Sequence, residues 1–445
     1  MGLQAASGSG HAPCPAHACQ AETDRVTMVS SPSCPVATEL KQVVAYLAPE
    51  IPSLSATFVY EELHAVERRG LRVVPISVHR PARPAADQAR LSERVRVLYD
   101  THPARFALGA LLSLPRFGPG LFGALGQLAG DLVACGLLKP ASWKLAYQFL
   151  AGARLARLMQ DEGCHHLHVH FAHVPAQIAM YAAALSGLPF TVTAHANDIF
   201  ERGLLLQRKA ARAKRFLTIS EHNLKYLRAL GIPPAQLSLV RCGVSFSPRS
   251  RPAGAAGQPF VLGSLGRMVE KKGFDVLIET LARLRAEGRA VVLRLAGDGP
   301  LRPALEAQAA ALGLGEAVRF DGSLSHEQVA DWMNALDSFV LACKEDRNGD
   351  MDGIPVVLME AMSQSLPVVS TRLSGIPELV MHEQSGLLAE PADAADLARQ
   401  IARLIDSDAL RAQLGRDGCQ HVMAEFGMAQ NIDRLLAAFA LPRHG

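Results

Sequence analysis

Met351–Met362, MDGIPVVLMEAM, is the stretch on which the reading of this chain turns. Asp352 opens it, Gly353-Ile354-Pro355 follows, and Glu360 stands eight positions after Asp352. Proline has no backbone N–H and suits the first turn of a helix. The spacing therefore predicts a loop carrying Asp352, then a helix starting near Pro355. Glu360 falls in its second turn, among apolar neighbours. An acid there either faces solvent or has partners, because burying a bare carboxylate is costly.

The neighbouring runs extend the pattern. Ser338–Ala342 and Leu366–Ser370 read as strands on either side. Upstream, strand Phe260–Leu265 leads into Gly266–Gly273, GRMVEKKG, and then a helix over Phe274–Glu287. Strand Val291–Ala296 ends in Gly297-Asp298-Gly299-Pro300, and a short strand follows at Val318–Phe320. Repeated strand-loop-helix units predict a parallel sheet covered by helices. The first half opens the same way. Gln42–Leu47 is a strand, Ser53, Ser55 and Thr57 sit in the loop after it, and a helix runs from Phe58 to Arg69. Strand Arg72–Val78 follows. Open α/β sheets place ligands at the carboxyl ends of their strands. Ser55 and Thr57 are thus candidate acceptor-side residues.

Length and composition fit two soluble domains. The chain has 445 residues, 49% hydrophobic and 20% charged, with 45 basic and 42 acidic side chains. That balance gives no support for a nucleic-acid partner. Eight scattered cysteines form no C-x-x-C pair, which predicts reduced thiols. Residues 1–40, rich in Ala, Ser, Gly and Pro, read as a disordered leader without a secretory signal. The Pro/Gly/Ala-rich stretch 247–258 reads as a hinge. It separates a first domain at 41–246 from a second at 259–415, followed by a helical segment over 416–445.

Four further stretches stand out. Phe117–Leu138 carries one charge, Asp131, in 22 residues, interrupted by Pro119 and several glycines. It reads as a membrane span, as helices touching a membrane surface, or as plain core. His165–His173 holds five histidines. His166, His168 and His170 alternate and would share one strand face; no carboxylate or cysteine at suitable spacing completes a metal site. His170 and His173 lie where this strand ends and are candidates to line a cleft. Strand Leu188–Ala194 delivers His195, with Asp198 three residues on, as a substrate-contact pair. The basic run Arg208–Arg215, RKAARAKR, reads as a solvated face or an anion contact.

Arg267 and Lys272 beside a helix N-terminus form an anion site suited to a diphosphate. The loop is not a P-loop, since G-x-x-x-x-G-K-[ST] is absent. A nucleotide also needs a carboxylate for its ribose hydroxyls, a role Glu360 can fill. Asp352 could accept from sugar hydroxyls. One end of the second domain could then hold a nucleotide-sugar facing His195.

GRMVEKKG together with Asp352–Glu360 resembles the retaining GT-B glycosyltransferases of family GT4, notably the branch that builds exopolysaccharides such as colanic acid. Pro52–Phe58, His195–Ile199 and Val240–Val244 point the same way. The likeness runs from about residue 41 to the end. It implies an α/β GT-B fold: two Rossmann-like, doubly wound parallel-sheet domains facing across a cleft, with a C-terminal helix crossing back to the first. It implies transfer from a nucleoside-diphosphate sugar to a glycan or polyprenyl-linked acceptor, by a cytoplasmic protein peripheral to the membrane surface. No cofactor or metal is expected. On this resemblance Arg267 and Lys272 stabilise the departing diphosphate, Glu360 holds the ribose, and His195 contacts the donor sugar. Gly353, Ile354, Pro355 and Val356 supply backbone contacts, and Asp298 joins the donor-binding set. Asp352 stands where the family has a longer Glu. A catalytically inactive sugar-nucleotide-binding protein and an epimerase of the same fold are the alternatives.

Overall fold

Apolar, β-branched runs buried on both faces build two parallel sheets. The computed structural model describes residues 42–53, 56–81, 89–245 and 258–441. The expected leader, Ser55 and all of the expected hinge except Gln258 lie outside those residues.

The first sheet holds β1 (Val43–Ala48), β2 (Arg72–Ser77), β3 (Arg96–Val97), β4 (His166–His170), β5 (Phe190–Ala194), β6 (Arg215–Thr218) and β7 (Leu237–Leu239). Its order is β3-β2-β1-β4-β5-β6-β7. The second holds β8 (Phe260–Leu265), β9 (Val291–Ala296), β10 (Val318–Gly322), β11 (Ser338–Val340), β12 (Val368–Thr371) and β13 (Leu387–Ala389), in the order β10-β9-β8-β11-β12-β13. All pairings are parallel. In each sheet the winding reverses once, between β1 and β4 and between β8 and β11. Such switch points open a crevice at the strand ends. The loops after β1, β4, β8 and β11 are therefore the places to look for chemistry. The edge strands β3, β7 and β13 are two or three residues long, too short to show a period.

Helix α1 (Thr57–Arg68) follows β1. Helices α2 (Pro103–Ser113), α3 (Pro119–Cys135) and α4 (Pro140–Asp161) each start on a proline. Then come α5 (Val174–Ser186), α6 (Leu206–Arg212) and α7 (Glu221–Ala229), the last capped by the Ser220 hydroxyl. In the second half, α8 (Phe274–Ala286) follows β8 and α9 (Val356–Ser363) follows Pro355. Helix α10 (Asp408–Phe426) packs on α9. The chain then turns at Gly427, and α11 (Met428–Phe439) lies in the core of the first sheet. Ile432, Leu435 and Phe439 bury there against Tyr46 and Leu63. The change of partner thus comes at Gly427, within the segment expected from 416.

The alternating histidines of β4 are all fully buried. His166 and His168 share the Thr191 hydroxyl at 2.9 and 2.8 Å. Burial lowers the His166 imidazole to about 3 and His173 to about 4, with nearby cations adding to it. Both therefore stay neutral when folded, against an ordinary value of 6.5. Between those values the unfolded chain binds more protons. Stability is fully present above about pH 6.5 and is lost as pH falls toward about 4, by a few kcal/mol. The urea midpoint is predicted to drop over that window; a midpoint independent of pH there would contradict this burial.

Candidate active site

The loop after β8 gathers cations beside the start of a helix. Gly273 caps α8 with φ +66°, and a Cβ on it would lie 1.8 Å from the Ala342 carbonyl oxygen. Only glycine lets the Gly266–Gly273 loop pass this close to the end of β11. No side chain caps α8, so its first N–H groups have no side-chain acceptor at the cap. Lys272 folds back along Gly266 and pairs with Asp352, Nζ to Oδ2 2.5 Å. Lys271 reaches Asp350 at 2.8 Å and Asp352 at 3.5 Å. Burial works against the Lys272 ammonium, but Asp352 overcomes it and holds its pKa above the usual range. Burial likewise opposes the Asp352 carboxylate, yet Lys272 and Lys271 hold it below the usual range. Both groups are thus charged at neutral pH. Arg267 is exposed at the rim of the same loop. Asp298 is exposed, and its carbonyl accepts from Met268 N at 2.9 Å, which ties the loop after β9 to the loop after β8. Glu360 is half-buried on α9.

The first half faces this loop. A Cβ on Gly353 would lie 3.3 Å from Ile219 Cδ1, 3.5 Å from Ala196 Cβ and 3.6 Å from the His195 carbonyl oxygen. The backbone beside Asp352 therefore rests on the His195 loop. Ile354 and Pro355 are buried beside it, and Val356 begins α9.

His195 ends a buried polar chain. Its Nε2 lies 3.3 Å from His170 Nδ1, and His170 Nε2 lies 3.0 Å from Glu62 Oε1. The Tyr46 hydroxyl donates to the same Glu62 oxygen at 3.1 Å. A carboxylate accepts only, so His170 Nε2 donates to Glu62, and in a neutral His170 ring Nδ1 is the acceptor. His195 then donates from Nε2, and its Nδ1 is left as an acceptor. Burial, with His170 and His173 close by, pushes the His195 pKa well below the ordinary range, so its ring is neutral. Phe58 and Phe171 flank the ring at 4.8 and 4.6 Å. Glu62 also brings its carboxylate to His168, and the ligand atoms of Glu62, His168 and His170 lie within 4.8 Å of one another, a spacing that also suits a metal ion.

Two acceptor-side candidates are placed differently. Asp198 is fully buried, and its carboxylate accepts from Ala172 N at 2.6 Å and His195 N at 3.0 Å. It fixes the His195 loop and presents no free edge. His170 is likewise fully buried, behind His195. Thr57 is half-buried at the start of α1. His173 borders a cavity of about 640 Å³ with Lys144, Gln177, Arg202 and Tyr226. Glu62, Lys271 and Asp350 escaped the sequence reading. Glu62 did leave a trace, as an acid on the apolar face of α1 with Val59, Leu63 and Val66.

Two half-chains with facing switch points, a cation-rich loop on one and a neutral histidine on the other, define a two-domain GT-B protein. Residues 133–247 match the family described as Glycosyltransferase Family 4, and residues 259–407 match Glycosyl transferases group 1. AmsK of Erwinia amylovora, an amylovoran biosynthesis glycosyltransferase, is 33% identical over 286 residues, which are 60% of this chain and 69% of AmsK. WcaL of Salmonella typhimurium, described under colanic acid biosynthesis, is 35% identical over 253 residues. That alignment covers 55% of this chain and 62% of WcaL's length. Anabaena HepE, solved in complex with UDP, superposes with TM-score 0.66 at 16% identity, over 89% of this chain and 98% of HepE. The chain belongs to glycosyltransferase family 4.

Replacing Glu62 by Leu is predicted to cost about 1–3 kcal/mol, because His170 and Tyr46 lose a buried acceptor. Nitrogen NMR of the imidazoles should show His195 protonated on Nε2 in the parent and a tautomer mixture in the variant. An unchanged His195 spectrum would break the proposed chain.

Proposed function

We propose that the protein is a retaining, metal-independent glycosyltransferase of the hexosyltransferase type. It moves a sugar from a nucleoside-diphosphate sugar to a glycan or polyprenyl-linked acceptor in exopolysaccharide synthesis, as a cytoplasmic protein working at the membrane surface. The observation that carries this reading is the Lys271–Lys272 pair at the uncapped start of α8, set opposite His195. AmsK and WcaL support the pathway by their descriptions, and HepE supports a nucleotide in the crevice.

In this reading the diphosphate sits at the α8 N-terminus, with Arg267 and Lys272 along it. Asp352, paired to Lys272 in this structure, turns to the sugar hydroxyls as the diphosphate takes up the ammonium. Glu360 accepts from the ribose. Gly353–Val356 give backbone contacts, and His195 Nδ1 accepts from a sugar hydroxyl. The acceptor hydroxyl attacks the anomeric carbon on the face the leaving group departs from. The bond from that carbon to the diphosphate oxygen breaks, and its electron pair leaves with the nucleoside diphosphate. The hydroxyl proton passes to the departing phosphate oxygen. Fixed cations aimed at this developing charge supply the main stabilisation. The cavity beside His173 receives the acceptor, with Lys144 and Arg202 as cationic walls.

The test is a panel of UDP- and GDP-sugars with EDTA present, followed by turnover and product stereochemistry. Release of nucleoside diphosphate and a product of unchanged anomeric configuration are expected. Lys272→Ala and Glu360→Ala should lower kcat/KM on the order of 100-fold or more with the fold retained. Wild-type rates in both variants would sink the site, and an inverted product would sink the mechanism.

A further inference from the structure

Helix α3 buries its charge and leaves one apolar face exposed. Its only charged residue, Asp131, is fully buried. Asp131 accepts from Tyr181 of α5 at 2.9 Å, and pairs with Arg208 at 3.1 Å and Arg212 at 2.6 Å on α6. The basic run that read as a solvated face is thus partly spent on holding α3, and Lys209 is buried as well. Leu121, Leu128 and Leu132 pack on the core of the first sheet, while a second set of apolar residues points to solvent. Phe122 is 77% exposed, Val133 68%, Leu138 95% and Trp143 73%. Phe122, Leu125, Ala129 and Val133 recur at three-to-four spacing, so they form one stripe along α3. The chain continues through Leu137 and Leu138 to Trp143 at the start of α4. Helix α2 adds Leu108, Leu111 and Leu112, all exposed.

The exposed charges carried by this stretch of chain have one sign, although Asp100, Asp161 and Glu162 share a cavity with Arg105. From Thr101 to Gln148 the only carboxylate is the buried Asp131, while Arg105, Arg116, Lys139 and Lys144 are exposed. Exposed apolar surface of this extent marks an interaction site. No described helix is long and apolar enough to cross a membrane, so the face would lie on a bilayer rather than span it. A two-fold pairing with a second copy would bring like charges together.

We infer that the α3 stripe, Leu137-Leu138 and Trp143 insert into the headgroup region of an anionic bilayer, with Arg105, Arg116 and Lys139 on the lipid phosphates. The purpose of this docking rests on the reading of the acceptor as a lipid-linked saccharide; the docking itself stands on the surface alone. Ala141 and Lys144 of α4 belong to the rim of the cavity beside His173, so a docked face places that cavity at the lipid boundary.

The chain carries its own probe. It has two tryptophans, the exposed Trp143 and Trp332, which is 6% exposed. The full-length protein, without substrates, is mixed with vesicles of phosphatidylcholine alone or with phosphatidylglycerol. Co-sedimentation with the anionic vesicles and a blue shift of emission are expected, the shift being lost in Trp143→Phe. Leu138→Asp and the pair Arg116→Glu with Lys139→Glu should each weaken vesicle binding roughly tenfold or more, the charge pair through its electrostatic share. Circular dichroism checks that both remain folded, and turnover on a water-soluble acceptor should be unchanged. No vesicle binding, equal binding by the variants, or equal binding to neutral vesicles would overturn the inference. So would dimers in light scattering that dissociate in Leu138→Asp. Vesicle binding without any sugar transfer would leave the docking standing and count against the transferase reading.

Discussion

Everything cleft-like in this protein depends on one carboxylate. Glu378, in the second half, accepts from the backbone N–H groups of Glu221 and His222 at 2.9 Å each. These open α7 in the first half. Arg241 adds an ion pair at 2.8 Å and lies over the Phe426 ring. A carboxylate at a helix N-terminus satisfies orphan donors and meets the positive end of the helix dipole. Glu378 does so across the two halves, with a guanidinium completing its shell. That clamp, together with the close approach of Gly375 to Ser220 and Ile354, seats the Asp352 loop on the His195 loop.

With the halves so seated, the electrostatics divide cleanly. The second half presents ammonium groups held charged by carboxylates. The first presents imidazoles held neutral by burial. The ammonium groups paired with Asp352 thus face the uncharged His195 ring. That wall can make directional hydrogen bonds without adding charge. The Glu62–His170 chain serves the same end, since it settles which nitrogen of His195 donates.

Much of this was legible from residue order. Strand runs such as Val291–Ala296 and loops such as Gly266–Gly273 announced the fold, because parallel strands are buried on both faces and read as continuous apolar runs. The Pro355 boundary and the position of Glu360 followed from the missing proline N–H. What stayed hidden was set by contacts distant in sequence. Asp198 read as a substrate contact, yet its oxygens go to Ala172 and His195 backbone groups, which no local pattern signals. Glu62 meets His170 across 108 positions. Arg208 and Arg212 had no reason to turn inward until Asp131, about 80 residues earlier, was seen buried. Asp352 looked like a pure sugar ligand. Its pairing with Lys272 appears only when the loops after β8 and β11 meet.

The crossing at Gly427 bears on how the molecule is made. The core of the first sheet is incomplete without Ile432, Leu435 and Phe439, which are synthesised roughly two hundred residues after β7. Tyr46, Leu63 and the His166 ring keep an open apolar flank until then. On a ribosome, the half that begins first is therefore the half that finishes last. A nascent chain carries that exposed flank from the making of β1 until α11 has emerged.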